Sequence, residues 1–266
     1  MTDPTIPIFF EEEDQDTADL IHEAALSTLR LIDELWRLHP PVDWSLVVLT
    51  SPDDFLKYGP TGLLRWIARF FQHRWRPRAE AFWPSIDGWV QRFGPRIMVG
   101  VKPMRLISLD EPNVGDGFFR PVTSPEERVR RVTCLQTTQA ALAHLGLPPW
   151  LYEGIPMLTV DAFAGEETVH PETIDYLEDH LGEASITLMT QYARSYWRTR
   201  FLHETRLGML PSILREPQPR PVLRERLIQA FGGSLWEEAD AAVVERFKGL
   251  RPKPQDPDEN VPTNNL

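Results

Sequence analysis

Cysteine is nearly absent: Cys134 is the only one in 266 residues. No disulfide can close within the chain, which fits a reducing compartment. Long apolar runs are also missing, and none reaches the roughly 18 uncharged residues that a membrane-spanning helix needs. The start Met1-Thr2-Asp3-Pro4 carries no basic stretch, and the short apolar run Ile6 to Phe10 meets Glu11, Glu12 and Glu13 at once, so no signal peptide is expected. Positive charge is in deficit. Lys+Arg is 28 against Asp+Glu 39, a formal net charge of -11, which argues against a dedicated nucleic-acid binder. These absences together predict a cytoplasmic protein that does not enter a membrane.

What is present is ordinary globular composition, 42% hydrophobic and 25% charged, in a length that suits one large or two small domains. Ile6 to Phe10 is short and apolar and predicts an edge strand. From Asp16, apolar residues recur at three- and four-residue steps (Ala18, Ile21, Ala25, Leu29, Ile32, Leu35, Trp36), which predicts a helix stopped by His39-Pro40-Pro41. Trp44 to Thr50 predicts a buried strand. Ser51-Pro52-Asp53-Asp54 predicts a helix start with Ser51 as N-cap and Pro52 at the first helical position. Residues 61–82 predict a helix rich in aromatics and arginine. Ile97 to Val101 and Arg105 to Leu109 predict two strands, and residues 111–123 a loop. Ser124-Pro125-Glu126-Glu127 predicts a capped start, with Glu127 at the capping-box position, for a helix ending near His144. Later helices are predicted over about 171–181, 184–204, 206–215, 220–231 and 234–248. Residues 251–266, with four prolines and three asparagines, predict a disordered tail. Strands with helices come first and helices alone follow, which is an α+β order.

The predicted helix 126–145 carries the functional reading. Val129, Val132, Leu135, Leu142 and Ala143 set its inward stripe, and Gln136 and Gln139 fall on that same stripe. Two amides on an apolar face need partners, from each other, from backbone or water, or from something polar bound beside them. Pro148-Pro149-Trp150-Leu151-Tyr152-Glu153-Gly154 follows after a turn.

Around these residues the chain resembles bacterial peptidase MA-like domains of the gluzincin type. In that family an inward helix carries His-Glu-x-x-His, followed by a turn and a Pro-x-Trp-Leu-x-Glu-Gly segment whose glutamate is the third zinc ligand. Leu135-Gln136-Thr137-Thr138-Gln139 stands at the first motif and Pro148 to Gly154 at the second. Further points of likeness are Val47-Val48-Leu49 before Asp54-Phe55, a strand over the cleft at Arg105 to Leu109, Tyr192-Ala193-Arg194-Ser195-Tyr196, and Phe231-Gly232-Gly233-Ser234-Leu235-Trp236-Glu237. The likeness spans about residues 5–248. It implies a zincin-like α+β fold: a small N-terminal mixed sheet packed on helices that include the active-site-type helix, then a mainly helical C-terminal half. The lobes expected are 5–145 and 146–250, with 251–266 as the tail.

The chemistry departs from the family. Catalytic zinc takes three protein ligands and an open position for water. Leu135 has no lone pair, Gln139 offers only a neutral amide oxygen, and Gln136 cannot act as the general base that glutamate supplies. Only Glu153 matches, and no His-Glu-x-x-His occurs anywhere in the chain. The resemblance therefore implies a zinc-free, catalytically inactive peptidase-like protein, a binding or scaffolding module for a protein partner. The alternative is a hydrolase with a rearranged site around Glu153, Gln136, Gln139 and His144. Each of these residues also has a structural reading: Glu153 as a cap or ion-pair partner, His144 as a solvated residue at a helix C-terminus. Ser195 and Cys134 sit in no nucleophile motif. Arg65, Arg69, Arg74, Arg76 and Arg78 interleave with Trp66, Phe70, Phe71 and Trp75, a composition suited to single-stranded nucleic acid. In so acidic a chain, pairing of these arginines with carboxylates is the favoured reading. Nine tryptophans are many, and some are expected on an interface.

Overall fold

A computed structural model describes residues 6–39, 43–58, 76–77, 80–81, 83–109, 122–167 and 183–230. Its elements in chain order are β1 (Ile8–Phe9), α1 (Gln15–Trp36), β2 (Trp44–Val48), α2 (Asp54–Tyr58), β3 (Gly88–Phe93), β4 (Arg96–Val101), α3 (Pro125–Leu142), α4 (Pro149–Ala164), α5 (Glu183–Thr205), α6 (Met209–Leu214) and α7 (Arg220–Ala230). The protein is mixed α+β, with a small four-stranded mixed sheet and mostly helices. Strand order is β1-β2-β4-β3. The first three strands run parallel, and β3 is the antiparallel edge strand, paired Gly88 with Val101 through Phe93 with Arg96.

β2 is buried at every position, as expected for a strand covered on both faces. Leu46 and Val48 join Ile97, Val99 and Val101 in the core shared with the helices. On the opposite face, Val47, Leu49 and Met98 pack with Phe9, Tyr58, Trp83, Trp89 and Phe93. Gly94 supplies the positive φ of 63° that the two-residue β3–β4 turn requires.

α1 buries the predicted stripe, including Ala18, Ile21, Ala25, Leu29, Ile32 and Trp36. It stops before the His39-Pro40-Pro41 signal. Arg37 takes the left-handed conformation (φ 57°), and Arg37 N–H and Leu38 N–H donate to the carbonyls of Asp33 and Ile32. That is a helix-ending motif in which a non-glycine occupies the glycine position. α2 begins at Asp54 rather than at Ser51. The Asp54 carboxylate instead accepts from the backbone N–H groups of Thr50 (2.7 Å) and Ser51 (2.9 Å).

α3 starts as predicted. The Ser124 hydroxyl accepts from Glu127 N–H (3.2 Å), and the Glu127 carboxylate reaches back to Thr123 N–H, one residue before the cap. The helix is not amphipathic: residues 131 to 138 are buried without a break. The sheet, α1 and α4 all pack against it. Two expectations change. Arg105 to Leu109 is not a strand: Met104–Leu106 forms a 3₁₀ turn, and Arg105 is drawn to Asp14 (2.9 Å) and Glu13 at the start of α1. The strands lying against α3 are β4 and β3. The Pro149 to Gly154 segment opens a 16-residue helix, α4, with Pro149 in its first turn and Pro156 inside it. One buried cluster runs from Ile6 to Ala230. The helices predicted over 171–181 and 234–248, the Phe231 to Glu237 segment, most of 61–82, the loop 111–121 and the tail 251–266 lie outside the described residues.

Candidate functional site

α3 places the three motif side chains differently. Leu135 is 7% exposed and belongs to the main core. Gln136 is 8% exposed and packs under the first residue of β3: a Cβ at Gly88 would lie 2.8 Å from Gln136 Cγ and would collide with Val132. Gly88 is the residue that lets the edge strand lie this close to the helix. The Gln136 Oε1 atom is buried and has no hydrogen-bond partner among the described residues. Gln139 is half-buried. His144 is exposed in the turn after α3.

Glu153 sits in the second turn of α4, half-buried, and is neither a helix cap nor an ion-pair partner among the described residues. Ser195 Oγ of α5 donates to its Oε2 at 2.9 Å. The same hydroxyl lies 2.8 Å from the Gln191 carbonyl, so one proton faces two acceptors. Burial pushes the Glu153 carboxyl above the ordinary range, and the Ser195 hydrogen bond opposes this. Burial, reinforced by the charge of Glu153, pushes the nearby Tyr192 phenol up to about 12. No hydrogen bond among the described residues joins Gln136, Gln139, Glu153 and His144 to one another. Nor do three His, Cys, Asp or Glu side chains converge as metal ligands among those residues. Burial also pushes the Cys134 thiol up to about 12, which makes it an inert core residue.

A carboxylate with a raised value makes stability pH-dependent in a fixed direction. Between its ordinary value and its folded value the native state holds more proton than the unfolded chain, so stability falls as pH rises through that window. Glu153→Gln is neutral throughout. It is expected to match the wild type at pH 4 and to be the more stable protein at pH 8, by about 1 kcal/mol or less for so solvated a group. Thermal melts of both proteins at the two pH values check this; equal gaps at both would refute it.

Two features escaped the sequence. Gly154 marks a close approach of α4 to α5, where an added Cβ would collide with the Ser195 carbonyl and the Thr199 hydroxyl. Because one obstacle is backbone, Gly154→Ala is expected to destabilise by about 2 kcal/mol, measured by urea unfolding; a loss under 0.5 kcal/mol would mean the helices separate freely. The second is a buried charge group at the start of β3. Arg128 Nε of α3 donates to Asp87 Oδ2 at 2.6 Å, while Lys102 Nζ lies 3.8 Å from Asp87 Oδ1 and donates to the Trp83 carbonyl. These residues are 41 and 15 apart in sequence, and no spacing rule joins them.

Arg76 is the one arginine of the 65–78 segment within the described residues. It pairs with Glu80 (2.7 Å) and Asp53 (3.2 Å), as the acid-pairing reading expects. Trp36, Trp44, Trp150 and Trp197 are core residues, and Trp83 and Trp89 are half-buried. Among the described residues no helix is long and apolar enough to cross a membrane. Compared with family models, curated proteins and solved structures, the chain matches none.

Proposed function

We propose that the chain is a zincin-like domain that has lost its zinc and serves in the cytoplasm as a binding or scaffolding module for a protein partner. The observation that carries this is the state of α3: Leu135 is part of the packed core where a first ligand would stand, and Gln136 is wedged under Gly88 where a general base would stand. The surrounding order supports it. A strand, a long helix, a second strand and a β-hairpin precede the buried helix, and the helix with Glu153 follows by a short turn. β3 is a six-residue antiparallel edge strand beside α3. An extended segment of a partner protein can add to such an edge by main-chain hydrogen bonds, with the neighbouring groove reading its side chains. Without ligands and base the segment is held and not cut.

Metal analysis of the purified chain tests the zinc-free part, with far less than one zinc per chain expected. Tightly bound stoichiometric zinc would overturn the reading. One observation favours the rearranged hydrolase instead: a half-buried carboxyl with a raised proton affinity, Glu153, is the kind of group a general acid uses. A turnover abolished by Glu153→Gln would select that second reading, because a scaffold has no turnover to lose.

A further inference from the structure

We draw no further inference here: the strongest candidate, the cavity of about 450 Å³ over Trp36 between α1, α4 and α5, is rimmed by carboxylates (Asp161, Glu166, Glu167, Glu204) that already hold partners in Tyr196, Arg131 and Arg200, and nothing beside that acidic rim points to a ligand.

Discussion

The double variant Leu135→His/Gln139→His is expected to bind one zinc ion per chain, with Glu153 as its third protein ligand. Positions i and i+4 lie on one face of α3 and project the same way, so two imidazoles there can share a metal. Glu153 has to leave Ser195 for this. That step is mild, because the Ser195 hydroxyl keeps the Gln191 carbonyl, 2.8 Å away, as an acceptor. The larger cost is at Leu135, which is 7% exposed: a polar ring in that core slot costs about 1–3 kcal/mol before metal is added. Zinc at a hundred times its dissociation constant returns about 2.7 kcal/mol. The melting midpoint of the double variant should therefore rise by about 5–10 °C between chelator and zinc. Either single variant offers too few ligands and should not respond, and adding Glu153→Ala to the double variant should remove the response. A double variant that shows a folded circular dichroism spectrum and yet takes up no zinc would sink the zincin-like reading, since it would place Leu135, Gln139 and Glu153 away from any common point.

The elements legible in the sequence were those whose own residues decide them. α1 carries a long 3.6-residue stripe, β2 a compact apolar run, and α3 a Ser-Pro-Glu-Glu start, and all three stand close to where periodicity and capping put them. β3 escaped because an edge strand is only half covered. Gly88-Trp89-Val90-Gln91-Arg92-Phe93 has an apolar core face too thin to stand out, and its place is fixed by pairing with β4 and by the gap that Gly88 leaves for Gln136. Arg105 to Leu109 looked like a strand locally, but a long-range ion pair to Asp14 decided otherwise. α4 was hidden by its two prolines; burial of Leu151, Ile155, Leu158 and their neighbours holds it helical through Pro156. Of the candidate site, the sequence placed Gln136 and Gln139 on α3, but not Glu153 inside α4. It could not show that Gln136 packs under Gly88 or that Glu153 turns to Ser195, because both facts arise from contacts with β3 and α5.

Asp87→Ala is expected to have the largest effect on stability of any single substitution considered, a loss of about 3–5 kcal/mol and a fall in melting midpoint on the order of 10 °C. Asp87 is 3% exposed and stands between two buried cations, Arg128 and Lys102. The pair itself contributes little net energy, because desolvating both partners nearly cancels their attraction. Removing the anion alone is different, since it takes a short carboxylate contact from two buried cations at once. Arg128 makes the shorter contact to Asp87, 2.6 Å against 3.8 Å for Lys102, so the loss should fall mainly on Arg128. Asp87→Leu/Arg128→Met, which deletes the pair and fills the space, should be clearly more stable than Asp87→Ala and depart from additivity with the two single variants by more than 1 kcal/mol. The site of damage should also be local. Asp87 adjoins Gly88, the first residue of β3, and its bond to Arg128 fastens that strand to α3. Hydrogen exchange in Asp87→Ala should accelerate in β3 before it does in β2, and a partner segment that adds to the β3 edge should bind more weakly in proportion. Uniform acceleration across the sheet, or a loss below 1 kcal/mol, would mean that the Asp87–Arg128 bond does not fasten β3 to α3 and that the strand is held by its pairing with β4.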